Sequence, residues 1–289
     1  MHTTQTIRTR YGAFTIDHER DKKMAAALRN DKYLNEGLLM VARTFVNKKS
    51  TVIDIGAHIG TFSIPIATEV EKVIAFEPST EAFPLLSHNT KENNVSLQLI
   101  NKALGSKKGS GALIMRNASN SGANTIVSGG NIPITTLDDE VERADFIKID
   151  VEGMELEVFK GGTRLIERSR PVILFEVNLS QLRAHSASPR MLQKFFSQCG
   201  YKLYFPLEQK NYTLARVHNA TLLTALIAPR AWLFFSDSAP FDLVAVPKER
   251  KVSHIGFMSA IRYVIGNNIV RKIERLSIFF HRLYRLRLP

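Results

Sequence analysis

The stretch Val52-Ile-Asp-Ile-Gly-Ala-His-Ile-Gly60 decides the fold of this chain. An apolar run interrupted by one acidic residue leads into two glycines four positions apart, which is typical of a buried strand followed by a tight turn and a helix. Asp54 stands two residues before Gly56. A carboxylate there would repel a pyrophosphate held at the helix N-terminus, so the turn favours a cationic ligand over a dinucleotide.

The segments on either side of this stretch repeat the same rhythm. Short apolar runs occupy 51–55, 72–76, 97–100, 145–149 and 172–175, and segments of helical length and spacing occupy 61–68, 80–92 and 154–168. Such alternation predicts an α/β fold with a doubly wound, mostly parallel sheet. Residues 201–207 and 241–247 predict an antiparallel pair at one edge, and residues 106–144 predict an inserted hairpin or lid.

Acidic residues follow several of these predicted strands. Asp54, Glu77, Asp150 and Glu176 stand at or near the carboxyl ends, which share one edge in an open parallel sheet and border its ligand crevice. Glu77 lies 21 residues beyond Gly56, close to the interval of about 20 at which an acidic residue accepts hydrogen bonds from ribose hydroxyls. Together with Asp54, it predicts S-adenosylmethionine as the cofactor.

Six motifs make the chain resemble the FkbM-type methyltransferases over roughly residues 50–180. They are Asp54-Ile-Gly-Ala-His-Ile-Gly-Thr-Phe-Ser63, Ala75-Phe-Glu-Pro-Ser79, Asn101-Lys-Ala-Leu-Gly105, Ile147-Lys-Ile-Asp-Val-Glu-Gly-Met-Glu155, Lys160-Gly-Gly162 and Pro171-Val-Ile-Leu-Phe-Glu-Val177. The first motif fits methyltransferases in general. The Asp-Val-Glu-Gly stretch followed by Lys-Gly-Gly is specific in this spacing.

The resemblance implies a class I methyltransferase fold, which is Rossmann-like, and acceptors that are hydroxyls of sugars or specialised metabolites. The residues that we predict to contact S-adenosylmethionine are Asp54, Gly56, Ala57, His58, Gly60, Glu77, Pro78, Ala103 and Asp150. Asp54 would face the cationic groups of the cofactor and Glu77 its ribose.

Methyl transfer to a hydroxyl also needs a group that removes the proton. Asp150, Glu152 and Glu176 are the predicted bases or acceptor-orienting groups, and His58 is a weaker fourth. Asp150 could instead touch the cofactor, and a capping or salt-bridge role is open for each carboxylate. The cluster could also hold a divalent cation through oxygen ligands. No metal is predicted, because no histidine joins the cluster by motif.

Charge is distributed unevenly along the chain of 289 residues. The net charge is +12, and residues 248–289 hold ten Lys and Arg against two Glu, which leaves +4 for the rest. We expect a helical extension over 1–48, a methyltransferase domain over 49–247 and a basic amphipathic helical tail over 248–289. The apolar stripe of 254–287 predicts peripheral contact with an anionic membrane, or packing on the domain or a second subunit.

The remaining expectations concern location and alternative functions. One cysteine, no apolar leader and no stretch of about 20 apolar residues predict a cytoplasmic protein, with the inner face of the membrane as a peripheral site. The predicted partner is a small-molecule or saccharide acceptor, without nucleic acid. A nucleic-acid methyltransferase or binding protein using the basic tail, and an inactive module that only binds the cofactor, stay open as alternatives.

Overall fold

The computed structural model describes residues 3–30, 35–115, 124–207, 213–217 and 240–255. Its strands are β1 (Thr4–Thr9), β2 (Gly12–Asp17), β3 (Thr51–Ile55), β4 (Lys72–Phe76), β5 (Gln98–Ile100), β6 (Ala103–Leu104), β7 (Gly109–Met115), β8 (Asn124–Ser128), β9 (Ile132–Thr135), β10 (Phe146–Ile149), β11 (Val172–Val177), β12 (Tyr201–Leu207), β13 (Thr213–Val217), β14 (Phe241–Pro247) and β15 (His254–Ile255). Its helices are α1 (Lys22–Arg29), α2 (Glu36–Arg43), α3 (Ser63–Ala67), α4 (Ala82–Glu92), α5 (Leu137–Glu140), α6 (Glu155–Gly161), α7 (Thr163–Ser169), α8 (Leu179–Ala184) and α9 (Pro189–Gln198).

A nine-stranded sheet forms the centre of the fold, in the order β15-β13-β12-β14-β11-β10-β3-β4-β5. Strands β11, β10, β3, β4 and β5 run parallel to one another, whereas β14 is antiparallel to both β11 and β12. The chain leaves β3 toward β4 on one side and later returns to place β10 on the other. The doubly wound sheet, its antiparallel edge and the class I methyltransferase fold are therefore confirmed.

Each face of the sheet is covered by its own apolar layer. On one face, α6, α7, α8 and α9 pack Phe159, Phe196 and other buried side chains on Phe175 of β11. On the other face, the N-terminal elements and α3 pack Phe14 and Phe62 against the sheet. The parallel strands are buried on both sides, which explains why they appear in the sequence as continuous apolar runs.

The N-terminal region differs from the predicted helical extension over 1–48. Strands β1 and β2 form an antiparallel hairpin, and only then do the short helices α1 and α2 follow. The alternation that places Ile7, Phe14 and Ile16 in the core is a strand pattern, so the helical prediction was wrong for this part. Asn89 and Asn93, one turn apart on α4, bond the backbone of β2 through their side-chain amides.

The insertion between β5 and β10 contains the predicted hairpin. Strands β7 and β8 are antiparallel and belong to a second sheet in the order β6-β9-β7-β8. The single helical segment predicted over 154–168 is two helices, because Gly162 both ends α6 and begins α7. A Cβ at Gly161 would lie 2.0 Å from the carbonyl oxygen of Gly105, so this junction packs directly on the insertion.

The predicted tail falls largely outside the described residues. His254 and Ile255 form β15 beside β13, so the amphipathic helix does not begin at 254, and the prediction for 256–287 is outside the described part. Residues that precede β15 pack on the domain: Glu249 accepts hydrogen bonds from the Arg170 guanidinium, and Arg250 donates to the Phe45 carbonyl. Among the described residues, no helix has the length and hydropathy to cross a membrane.

Candidate active site at the carboxyl ends of the central strands

A cavity of about 580 Å³ lies at the carboxyl ends of β3 and β10, where the order in which strands join the sheet switches from one side of β3 to the other. Open α/β sheets bind their ligands at this switch point, and the volume is within the usual range of about 300–1,000 Å³ for ligand sites. The predicted site residues that line the cavity are Gly56, Ala57, His58, Glu77, Pro78, Ala103, Asp150, Glu152 and Glu176. Asp54 and Gly60 do not line it.

Glu77 is held in place by the backbone of two loops. Its Oε2 accepts a hydrogen bond from the His58 N–H over 2.7 Å, and its Oε1 accepts one from the Ser79 N–H over 2.8 Å. Burial raises the pKa of Glu77, while His58 and these backbone donors oppose the increase. Each carboxylate oxygen retains a second lone pair, so Glu77 can still accept a hydrogen bond from a ligand in the cavity.

Gly56 and Gly60 have different tasks in the turn after β3. At Gly56 φ is +79°, and a Cβ would lie 1.9 Å from the Asp150 carbonyl oxygen, so only glycine lets the loop pass this close to the end of β10. At Gly60 φ is +93°, and a Cβ would meet the side chains of Ile64 and Leu86. Gly60 therefore permits close helix packing beneath the cavity, and its contact with the cofactor stays a prediction.

Asp54 differs from its predicted role. Its side chain is fully buried, and its carboxylate pairs with Lys148 Nζ over 3.1 Å and accepts a hydrogen bond from Ser63 Oγ over 2.5 Å. Lys148 lies opposite Asp54 in the parallel register of β10 and β3. The cation that Asp54 was predicted to bind in the cofactor is thus provided by the protein itself.

Lys148 connects the β3 side of the cavity with the β10 side. Its ammonium donates to the Gly56 carbonyl over 3.0 Å and lies 3.7 Å from Asp150 Oδ2, in addition to its pairing with Asp54. Burial alone would lower the pKa of Lys148, but the charges of Asp54 and Asp150 raise it above its ordinary value. No role was predicted for Lys148 from the sequence. A charged residue inside a buried strand needs a partner, and this is the signal that could have identified it.

Three predicted catalytic carboxylates meet on the far side of Lys148. Oxygen atoms of Asp150, Glu152 and Glu176 lie within 4.8 Å of one another, and Asp242 stands opposite Glu176 in the antiparallel pair of β11 and β14. Burial, followed by the charges of Asp150, Asp242 and Glu152, raises the pKa of Glu176 to about 9. The spacing also suits a divalent cation, so the preference for a metal-free site stays a prediction.

The loop that follows Asp150 fixes the position of this cluster. Glu152 has φ of +51° and Gly153 has φ of +104°, where a Cβ would lie 2.7 Å from the Gln181 backbone. Glu155 begins α6, and its Oε1 accepts a hydrogen bond from the Gly153 N–H over 3.0 Å. Burial raises the pKa of Glu155 to about 7. The turn is thus tied to the N-terminus of the helix behind it.

A comparison of the sequence with family models decides the affiliation of the domain that carries this cavity. The methyltransferase FkbM domain matches residues 54–203, just over half of the chain. The chain belongs to this family. The matched FkbM segment contains the carboxyl end of β3 and all of β4, β10 and β11, whose ends build the cavity.

The individual proteins that this chain resembles are more distant. The hexuronic acid methyltransferase AglP of Haloferax volcanii is 29% identical over 128 residues, which cover 42% of this chain and 53% of the relative. The chain thus matches about half the length of this curated relative. A methyltransferase FkbM from Methylobacillus flagellatus is similar in structure at 16% identity, with a TM-score of 0.41, and the match covers 69% of this chain and 44% of that one. A tRNA m1G37 methyltransferase of M. jannaschii is also similar in structure, at 13% identity and a TM-score of 0.44. That match covers 86% of this chain and 56% of the M. jannaschii protein.

Several lining residues lie outside the matched FkbM segment, and sequence reasoning missed them. The N-terminal region contributes Asp21, Lys23, Met24, Asn35, Gly37 and Leu38, and the β14 side contributes Pro240 and Asp242. Leu113 and Ile126 of the β7–β8 hairpin line it from within the segment, which supports the predicted lid position. No local motif marks the N-terminal residues, since their place depends on how the hairpin packs on α4.

Proposed function

We propose that this protein is an S-adenosylmethionine-dependent O-methyltransferase that acts on a hydroxyl of a saccharide. One observation carries the proposal: the cavity at the switch point has a backbone-held carboxylate, Glu77, on the β4 side, and clustered carboxylates that include Asp150 on the β10 side. The first arrangement suits ribose hydroxyls, and the second suits a hydroxyl that must lose its proton.

The residues of the β3 and β4 turns fit the cofactor. Glu77 has lone pairs for two ribose hydroxyls, and Gly56, Ala57 and His58 bring the backbone to the edge of the same cavity. S-adenosylmethionine, when bound, supplies an electrophilic methyl group. We place its adenosine part along Glu77, Pro78 and Ala103, which border the cavity beside β4.

Asp150 is the carboxylate that we assign as the base. The Lys148 ammonium, 3.7 Å away, stabilises its negative charge and limits its movement. Glu176 faces Asp242 and two further carboxylates, and a pKa of about 9 keeps it protonated near neutral pH. Glu176 therefore donates a hydrogen bond and orients the acceptor, while Asp150 accepts the proton of the attacking hydroxyl.

The acceptor class follows from the relative and from the polarity of the cavity. AglP is named for hexuronic acid, so a saccharide that bears a carboxylate is the first candidate for this chain. A protonated Glu176 is compatible with a nearby carboxylate, and Lys23 and Lys102 add positive charge to the lining. A neutral sugar hydroxyl is the alternative within the same reaction class.

Calorimetry tests the cofactor without knowledge of the acceptor. S-adenosylhomocysteine should bind to the wild-type protein, and NAD should not. The substitution Glu77→Ala should weaken binding by about 1.5–3 kcal/mol, since a charge-assisted hydrogen bond is lost. Exposed Glu71→Ala, just before β4, is the matched control and should bind normally. Binding of NAD together with no binding of S-adenosylhomocysteine would contradict the proposal.

The acceptor requires a separate assay. Methyl-labelled S-adenosylmethionine is incubated with oligosaccharides that contain glucuronic acid, with the corresponding neutral oligosaccharides, and with tRNA, each with and without EDTA. Label is expected in the acidic saccharide, and label in tRNA alone would favour the nucleic-acid alternative. Loss of transfer in EDTA, restored by Mg²⁺, would show that the carboxylates need a cation.

A further inference from the structure

The carboxylate of Asp21, in the N-terminal region, contacts the turn that follows β3. Asp21 Oδ2 lies 3.3 Å from His58 Nε2, and both residues border the cavity. Asp21 is buried, and the His58 side chain is only 16% exposed, so the contact is largely shielded from solvent.

The local geometry of α1 indicates that this contact is not ordinary helix capping. Asp21 occupies the N-cap position of α1, where an aspartate usually accepts a hydrogen bond from the first turn. Its side chain makes no such bond and is directed to His58 instead. The helix thus lacks this cap, and the Asp21 carboxylate contacts the turn after β3 instead.

His58 has a backbone that needs support. Its φ is +51°, a left-handed value that is uncommon for residues other than glycine. In this conformation its N–H donates to Glu77 Oε2 over 2.7 Å. Because the Asp21 carboxylate fixes the imidazole, it also stabilises the backbone conformation on which the position of Glu77 depends.

We propose that Asp21 is a positioning residue for the cofactor, acting through His58 on Glu77, so that the N-terminal hairpin and α1 form part of the cofactor site. This inference rests on the proposed function, since the ligand it concerns is S-adenosylmethionine. The inference goes beyond that function in two respects. It assigns a role to a residue outside the FkbM segment, and it predicts that cofactor affinity depends on the charge of His58.

The charges around His58 determine the sign of the pH dependence. Asp21 faces it from α1, Glu77 from the end of β4 and Asp150 from the end of β10, with the Lys148 ammonium beside Asp150. Burial acts to lower the pKa of His58, but the three carboxylates raise it above its ordinary value. Protonated His58 pairs most strongly with Asp21, so cofactor affinity should fall as the pH rises through this raised value, above about 6.5.

The test measures the dissociation constant of S-adenosylhomocysteine by calorimetry, from pH 6 upward across the titration of His58, whose range is defined by NMR of its imidazole protons. For the wild type we expect affinity to decrease by about five- to tenfold across this range. Asp21→Asn should bind about five- to tenfold more weakly at pH 6 and lose the pH dependence. In the double variant with His58→Asn, Asp21→Asn should have no further effect, because an asparagine tolerates the left-handed backbone and cannot titrate.

A second histidine–carboxylate pair in the same region supplies the matched control. His18 Nε2 lies 3.6 Å from Glu19 Oε1, and neither residue lines the cavity. Glu19→Gln should leave both the affinity and its pH dependence unchanged. The proton resonances of the imidazoles, followed by NMR, should show His58 titrating at lower pH in Asp21→Asn and unchanged in Glu19→Gln.

The outcomes separate this inference from the proposed function. If the wild type binds S-adenosylhomocysteine but Asp21→Asn behaves like Glu19→Gln, the positioning role is wrong and the proposed function stands. A wild-type affinity that stays constant across the titration of His58 also overturns the inference, even if Asp21→Asn does not fold. If the wild type does not bind S-adenosylhomocysteine at all, the proposed function fails and this inference fails with it.

Discussion

The two halves of the cavity contrast in how their charges are compensated. On the β3–β4 side, each carboxylate has a defined partner: Asp54 pairs with Lys148, Glu77 with backbone N–H groups, and Asp21 with His58. On the β10–β11 side, Asp150, Glu152, Glu176 and Asp242 crowd together, and Lys148 is the cation that reaches them from β10.

We therefore expect the β3–β4 side to be preorganised for binding a ligand, and the β10–β11 side, where negative charges crowd together, to serve the chemistry. Paired charges resist movement, so the β3–β4 side holds a ligand without rearranging. On the β10–β11 side, burial and the neighbouring carboxylates raise the pKa of Glu176 to about 9, so this one carboxyl group can act as a hydrogen-bond donor within the cluster. Lys148 belongs to both halves and therefore determines which carboxylate keeps its charge.

Asp150→Asn should produce the largest loss on the β10–β11 side. Removal of the base should decrease kcat by about 10²–10⁴-fold, while the affinity for S-adenosylhomocysteine stays within about twofold. Turnover is measured with the acidic saccharide, and affinity by calorimetry. Glu157→Gln on α6, whose carboxylate pairs with Lys160 away from the cavity, is the control. Unchanged turnover in Asp150→Asn would assign the base to another residue.

Lys148→Met tests the link between the two halves. It leaves the fully buried Asp54 without its cation, so the free energy of unfolding should decrease by about 3–5 kcal/mol in urea denaturation. Adding Asp54→Asn should recover more than half of the loss, because no buried charge is then unpaired. Exposed Lys72→Met should cost less than about 0.5 kcal/mol. A loss below about 1 kcal/mol in Lys148→Met would show that the pair does not stabilise the fold.

Glu176→Gln should have the smallest effect, with a characteristic pH dependence. The pKa of Glu176, about 9, lies above its unfolded value near 4.5, so the wild type loses stability as the pH rises from about 4.5 toward 9. Glutamine cannot ionise, so the variant should match the wild type near pH 5 and exceed it by at least about 1 kcal/mol near pH 9.

The kinetic effect of this substitution should be modest. A glutamine amide still donates a hydrogen bond, so kcat should fall by no more than about tenfold at neutral pH, in contrast to Asp150→Asn. Thermal denaturation at several pH values gives the stability difference. A variant that is less stable than the wild type at pH 9 would show that the pKa of Glu176 is not raised in the folded protein.

The sequence by itself determined the central sheet and the location of the cavity. The run from Val52 to Gly60 specifies a strand and a turn through local residue types, and the carboxyl ends of neighbouring parallel strands must share one edge. For the same reason, Glu77, Asp150 and Glu176 could be assigned to one crevice. These inferences need only local pattern and the geometry of a parallel sheet.

The tertiary structure alone decided what each charge contacts. Asp54 and Lys148 are 94 positions apart and meet because β3 and β10 pair in a register that places them opposite each other. Asp21 reaches His58 because the N-terminal hairpin is fastened to α4 by Asn89 and Asn93. Local sequence patterns report which residues form a strand or a helix, but an ion pair depends on two segments whose separation is set only when the whole chain is packed.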